Sequence, residues 1–149
     1  MGSIKQFYKK TPFFKEYYNG IEECISSEQT LLAPFLNEIT QHLFEILSIK
    51  TKVIYSSSIP GITSHKDDLI VDLCCSVGAT RYISGPFGRD YLDSSKFQKN
   101  NIELLFHDYK HPDYKQQFEG FISNLSILDL LFNYGTNSLQ ILNTTKFSN

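Results

Sequence analysis

Apolar side chains recur every three to four residues along the first third of the chain, which is the spacing of one helix face. The longest such series, 32–47, predicts the longest helix. A shorter series over 13–21 follows Thr11-Pro12, a pair typical of a helix start. We therefore expect a helical segment over residues 4–49.

From Lys52 onward, short runs rich in β-branched and aromatic residues alternate with helical patterns. Such alternation predicts βαβ units, parallel strands and right-handed crossovers. The predicted strands are 53–55, 81–83 and 102–106. The predicted helices lie between and after them, and the last ends at Leu142.

The predicted fold class is therefore α/β, with a short parallel sheet of about three strands, flanking helices and a helical N-terminal segment. No linker-like stretch divides the sequence, so we expect a single domain over 1–149. In that arrangement the 4–49 segment packs on a βαβ core formed by 52–142.

Composition narrows the classes of function. Hydrophobic residues make up 41% of the 149 and charged residues 20%, which suits a packed core rather than a disordered chain. A net charge of -2 argues against a nucleic-acid partner, which needs a basic face. No apolar run reaches the length of a membrane span, so no membrane insertion is expected. Three cysteines, an odd number, indicate reduced thiols and a cytoplasmic location.

The loop Ser84–Asp90 is the first candidate site, because it follows the carboxyl end of a predicted strand, where open α/β sheets bind ligands. Gly85 and Gly88 would allow close backbone approach and positive φ. Arg89 offers a planar set of donors that suits phosphate or carboxylate, and Asp90 can accept from a hydroxyl or an amine. The alternative is a tight connection in which Arg89 and Asp90 pair with their neighbours. The spacing matches no Walker or dinucleotide fingerprint.

A second polar-aromatic run, 107–114, leaves the third predicted strand and can line the same crevice. His111 or His107 could act there as general acid or base. The alternative is that both are solvated loop histidines. The spacing of His and Asp matches no standard metal site, so the sequence predicts no metal and no cofactor. Ser126 and Asp129 fit a capping box, which favours a helix cap over a catalytic acid.

The string Ser-Gly-Pro-Phe-Gly-Arg-Asp-Tyr-Leu at 84–92 resembles the WbqC-like family of bacterial proteins, and the likeness continues through 108–114 and 121–135. Two departures stand out. Family members carry a first half with a His-Gln-Pro motif, so the resemblance implies the C-terminal part only. The family's Lys-Thr-acid-Arg-Leu is replaced at 66–70 by Lys-Asp-Asp-Leu-Ile, which argues against an anion contact there.

The resemblance implies a role in surface-polysaccharide biosynthesis (O-antigen, lipopolysaccharide), because family genes lie beside such genes. A transferase moving an acyl or aminoacyl group to a nucleotide-linked amino sugar is the first hypothesis. Its rival is a non-catalytic binding or accessory domain, or a truncated fragment, lacking the catalytic N-terminal half. In the first hypothesis His111 and Asp108 are the catalytic residues. The predicted substrate-binding residues are Ser84, Gly85, Gly88, Arg89, Asp90, Tyr91 and Tyr109.

The expected ligand is a phosphorylated sugar. The chain also carries 12 Phe and 9 Tyr, a heavy aromatic load for a short sheet with an open edge. We therefore expect a partner that covers apolar, Tyr- and Phe-rich surface. A two-fold homodimer is the simplest form, and a separate partner chain is the alternative.

Overall fold

The computed structural model describes residues 1–143 and 147–148, which form two compact units. The first unit contains residues 1–51 and 111–143, so its two segments precede and follow the second unit in the sequence. The second unit contains residues 52–110 and 147–148. The expectation of a single domain over 1–149 stays a prediction.

Helices build the first unit. They are α1 (Gly2–Tyr8), α2 (Phe14–Ile25), α3 (Leu32–Ile46), α6 (Ile127–Tyr134) and α7 (Ser138–Leu142). The helices predicted from the 13–21 and 32–47 series are thereby confirmed. The helical N-terminal segment is confirmed with them.

An aromatic cluster forms the core of the first unit. The rings of Phe14 and Tyr18, one turn apart on α2, stack at 4.5 Å, and the Phe14 ring lies 5.2 Å from that of Phe132 on α6. The amide of Phe13 donates to the carbonyl of Phe132 at 3.0 Å. The apolar residues at helical spacing near the start of the chain therefore form the face of α2 that packs against α6, near the end of the chain.

The second unit contains the sheet. Strand β1 (Arg81–Ser84) pairs in parallel with β2 (Glu103–His107), with Ser84 opposite Phe106. Helix α5 (Ser94–Lys99) connects them, and the side chain of Asp93 caps it by accepting from the amide of Ser95 at 2.9 Å. This is the βαβ unit expected from the sequence, and the α/β fold class is confirmed.

The prediction of a strand at 53–55 is wrong. These residues pair with no strand in the described part of the chain, and they are 43–47% exposed. Instead, β3 (Phe147–Ser148) pairs with β2, and it does so antiparallel. β-branched and aromatic residues favour strands because their side chains pack well on a pleated sheet. The Val-Ile-Tyr run at 53–55 has this composition but has no neighbouring strand to pair with in the described part of the chain.

The second unit's core lies between the sheet and its helices. Helix α4 (Lys66–Ser76) contributes Val71 and Cys74, and α5 contributes Phe97, whose ring stacks on that of Tyr82 at 5.5 Å. Burial raises the pKa of the Cys74 thiol, which suits a residue of the core rather than a reactive thiol. Gly78 follows the end of this helix with a φ of 65°, a backbone conformation that favours glycine.

A 3-10 turn, Pro86–Asp90, follows β1 and packs directly on it. The amide of Gly88 donates to the carbonyl of Gly85 at 3.0 Å, and the amide of Leu92 donates to the carbonyl of Gly88 at 2.9 Å. A methyl group on Gly88 would collide with Ser84 Oγ and lie 3.0 Å from Leu92 Cδ1. Gly88 is therefore required by packing within the second unit, while close approach of its backbone to a ligand stays a prediction.

The predicted positive φ is wrong for both glycines of the turn. Gly85 has a φ of -65°, and Gly88 is not among the glycines with positive φ. Gly88 is needed for space, because the turn packs on the end of its own strand. No such crowding exists at Gly85, where the nearest atom to a methyl group would be His107 Nε2 at 4.0 Å.

We expect Gly88→Ala to lower the free energy of unfolding by about 1–3 kcal/mol, because overpacking forces Ser84 or the turn to move. Urea denaturation followed by circular dichroism measures the loss. Gly85→Ala is the matched control and should stay within about 0.5 kcal/mol of the parent. Equal losses in the two variants would show that the turn does not pack as described.

Candidate functional site

Arg89 and Asp108 meet at the carboxyl edge of the two parallel strands. Arg89 lies in the turn after β1, and Asp108 directly follows β2. The guanidinium Nη2 donates to Asp108 Oδ1 at 3.2 Å, and the guanidinium carbon lies 4.5 Å from the centroid of the Phe106 ring. The sequence predicted that the runs 84–90 and 107–114 leave the same edge of the sheet. Residues 84–90 and 107–108 do lie at that edge.

The Arg89 guanidinium is held in place yet remains open to solvent. Its side chain is 38% exposed and that of Asp108 47%, while Phe106 beneath it is buried. Stacking on an aromatic face and a carboxylate partner both restrict the planar group without removing it from water. An anion arriving from solvent would therefore meet a guanidinium already oriented for contact.

The other residues predicted to bind the ligand differ in burial. Ser84 is only 2% exposed and its hydroxyl donates to the carbonyl of Gly85 at 3.1 Å, so it supports the turn from within. Asp90, Tyr91 and Tyr109 are exposed at the surface of the same unit. Their role in ligand binding stays a prediction.

The two histidines of the 107–114 run fall in different units. His107 ends β2 in the second unit and faces the Gly85 backbone, as the 4.0 Å spacing above shows. His111 belongs to the first unit, where its ring lies 5.7 Å from that of Tyr114 and 5.8 Å from that of Phe121. His107 and Arg89 thus belong to the same unit, while the predicted catalytic role of His111 stays a prediction.

A buried carboxylate anchors the segment that carries His111. Asp129 on α6 is 4% exposed, and its Oδ2 accepts from Tyr114 Oη at 2.9 Å and from Gln116 Nε2 at 3.3 Å. Ser126 caps α6 as predicted, since its Oγ accepts from the amide of Leu128 at 3.3 Å. Asp129 uses its carboxylate in these tertiary contacts, which local sequence spacing could not reveal.

Side chains also hold the rest of the loop between the second unit and α6. The Gln116 amide donates to the carbonyl of Ile122 at 2.8 Å and accepts from its amide at 2.9 Å. Gln117 donates to the carbonyl of Phe7 at 2.7 Å, and Tyr134 Oη accepts from the amide of Lys115 at 3.0 Å. The loop is therefore a defined structure despite having no helix or strand.

The departure from the family at 66–70 has a structural counterpart. Asp67 and Asp68 in the first turn of α4 both pair with Lys96 Nζ, at 3.0 and 2.6 Å. The hydrogen bond from Lys96 lowers the pKa of Asp67. Lys96 is thus engaged by two carboxylates, which is a poor setting for an anionic ligand.

Residues 1–143 and 147–148 contain no group of three or more His, Cys, Asp or Glu side chains arranged to hold a metal ion. Within the same residues, no helix combines the length and hydropathy needed to cross a bilayer.

The fold and the site define a class: an α/β protein with an arginine-bearing turn at the carboxyl ends of parallel strands, where such folds bind ligands. The model of the WbqC-like protein family matches residues 1–141, and the chain belongs to that family. The uncharacterized protein Rv1507c of Mycobacterium tuberculosis is 32% identical over 137 residues, which are 91% of this chain and 59% of the relative. The chain thus spans less than two thirds of that relative. No solved structure matches this chain.

The environment of Asp129 predicts a response to alkali. Burial first, and then the hydrogen bond to Asp129, raise the pKa of Tyr114 from 10.0 to about 12. A pKa raised by folding means that this stabilisation is complete below pH 10 and is lost as the pH rises through 12. We expect Tyr114→Phe to cost about 1.5–3 kcal/mol at neutral pH, because a buried carboxylate loses a donor.

Tyr114→Phe should also lose less stability than the parent between pH 10 and 12. Denaturation at a series of pH values measures this, and ultraviolet titration of the phenols should show one late-titrating tyrosine fewer. If the variant instead loses a phenol that titrates near pH 10, Tyr114 is not bonded to Asp129 in solution.

Proposed function

We propose that the second unit binds a phosphorylated sugar, in the form of a sugar nucleotide, through Arg89, in a protein of bacterial surface-polysaccharide biosynthesis. The observation that supports this most is the Arg89 guanidinium, stacked on Phe106 and hydrogen-bonded to Asp108 at the carboxyl edge of the sheet. Membership of the WbqC-like family agrees with it.

A phosphate suits this arrangement for a physical reason. The guanidinium can bond two phosphate oxygens at once, and charged hydrogen bonds of this type are short and strong. Phe106 and Asp108 limit the motion of Arg89 before the ligand arrives, so less entropy is lost on binding. The carboxylates of Asp90 and Asp108 then accept from hydroxyl or amino groups of the sugar.

The reaction we propose is transfer of an acyl or aminoacyl group to an amino sugar. The amine nitrogen attacks the acyl carbonyl, the new C–N bond forms as the bond to the carrier breaks, and the amine proton passes to a base. His111 and Asp108 are the predicted acid–base residues. The proposal places this chemistry in the cytoplasm, and three free cysteines support a reducing compartment.

A second candidate is a non-catalytic binding domain. One observation favours it: Arg89 and its contacts with Asp108 and Phe106 lie in the second unit, whereas the histidine chosen as acid or base packs with Tyr114 and Phe121 in the first. An assay of acyl transfer to UDP-glucosamine, whose amine is free, separates the candidates, and UDP-N-acetylglucosamine is the control acceptor that has no free amine. Binding without turnover, and no difference between the parent and His111→Gln, would favour the binding domain.

We expect Arg89→Gln to weaken binding of UDP-N-acetylglucosamine by about 1.5–3 kcal/mol, because a charged hydrogen-bond donor is lost from a partly exposed site. Isothermal titration calorimetry at fixed ionic strength measures the change. Circular dichroism should show an intact fold.

Lys99→Gln is the matched control, because it also removes one positive charge from the second unit and Lys99 is exposed near the end of α5. It should leave the affinity unchanged. If both variants bind as the parent does, or if Arg89→Gln unfolds, Arg89 serves the structure rather than the ligand.

We also propose that the chain self-associates through exposed apolar surface, most simply as a two-fold dimer. Leu31, Leu32 and Leu36 support this, because they are more than half exposed at the start of α3. Other exposed rings, such as Phe7 and Phe118, add to the apolar surface of the same unit. A separate partner chain would serve the same purpose.

Light scattering coupled to gel filtration at micromolar concentration should give the mass of a dimer. The double variant Leu32→Glu, Leu36→Glu should give a monomer, because two charges cannot be buried unpaired at an interface. A parent protein that is already a monomer contradicts self-association.

A further inference from the structure

A cavity of about 360 Å³ opens beside α5 in the second unit. Ile102, Leu104 and Phe106 supply its apolar lining, and Ser94, Gln98 and Glu103 supply polar groups. Its volume lies near the lower end of the range of about 300–1,000 Å³ that small-molecule sites occupy. A single monosaccharide ring is therefore a ligand of suitable size.

The cavity and the arginine site share one residue, Phe106. Phe106 is among the residues that line the cavity, and the Arg89 guanidinium carbon lies 4.5 Å from the centroid of its ring. A ligand with its phosphate on Arg89 can therefore place the neighbouring group in the cavity without leaving the second unit.

The residues that line the cavity determine which group attached to the phosphate can bind there. An acyl chain would remove water from the Gln98 amide and the Glu103 carboxylate without replacing their hydrogen bonds, which is costly. A nucleobase needs an open aromatic face, but Phe106 is only 8% exposed and Arg89 already covers its ring. A sugar ring has apolar C–H faces and hydroxyls at its edge, so it can satisfy both parts of the lining.

Glu103 is already oriented for such contacts. Its Oε2 accepts from Arg81 Nε at 2.7 Å, which restricts the rotamer and leaves carboxylate acceptor positions for hydroxyl donors. Gln98 offers both a donor and an acceptor from the exposed face of α5. Together they can distinguish hydroxyls that differ only in position around the ring.

We propose that this cavity is the sugar subsite of the Arg89 site, in which Gln98 and Glu103 bind the hydroxyls of the sugar attached to the phosphate. The inference rests on the proposed function, because it takes Arg89 as the phosphate contact. It adds the position of the sugar and the residues that determine which sugar is accepted.

Two probes separate the phosphate contact from the sugar contact: inorganic phosphate and α-glucose 1-phosphate. Nuclear magnetic resonance titration of the full chain gives both dissociation constants for each variant. We expect Gln98→Leu to weaken α-glucose 1-phosphate about 3- to 10-fold, the loss of a neutral hydrogen bond, and to leave inorganic phosphate unchanged. Arg89→Gln should weaken both probes and leave their ratio unchanged.

Lys99→Leu is the control for Gln98→Leu, because Lys99 lies on the same helix and outside the cavity lining. It should not alter the ratio of the two constants, in which any general effect of charge cancels. If Gln98→Leu does not fold, Glu103→Gln tests the same subsite. This smaller chemical change preserves the shape of the side chain.

The possible results separate the two proposals. An unchanged ratio in Gln98→Leu, with both probes sensitive to Arg89→Gln, overturns the sugar subsite and leaves the proposed phosphate contact standing. Sensitivity of α-glucose 1-phosphate to Gln98 but not to Arg89 overturns the phosphate contact and leaves the cavity as a sugar site. No binding of either probe contradicts both.

Discussion

The parallel pairing of β1 with β2, in the register that sets Ser84 opposite Phe106, is the constraint on which the candidate site depends. Because both strands end at the same edge, the turn after β1 and the residues after β2 emerge together. Gly88 then lets the turn pack on the end of its own strand, and this brings Arg89 back over Phe106. A shift of the register by one residue would put Phe106 on the other face and leave the guanidinium without its support.

Much of this arrangement could be predicted from the sequence, because the signals are local. Helical periodicity predicted α2 and α3, and the glycine-rich string predicted the turn and its arginine. The pairing of Arg89 with Asp108 also follows from strand order, since both residues leave the same edge of a parallel sheet. Arg89 pairs with Asp108 while its side chain stays 38% exposed, so both interpretations of the loop, a ligand site and a structural connection, stay predictions.

The failures concern contacts between residues distant in sequence. The run 53–55 has the composition of a strand, but composition cannot tell whether a partner edge is available. Asp129 has the spacing of a capping residue, yet Tyr114 and Gln116 occupy its carboxylate, and no periodicity connects a loop to a helix in this way. The cavity beside α5 was also invisible, because its lining comes from two elements whose spacing only the folded sheet determines.

The first unit is discontinuous: Phe14 on α2 packs against Phe132 on α6, and the second unit lies between them in the sequence. On the ribosome, α2 must therefore emerge long before the helix that completes its core. The β1–α5–β2 unit has all its parts within a short stretch and can form first, since local contacts require little loop closure. Until α6 is synthesised, the aromatic face of α2 remains exposed to the cell, and chaperones that recognise apolar segments have their longest access to the chain during that interval.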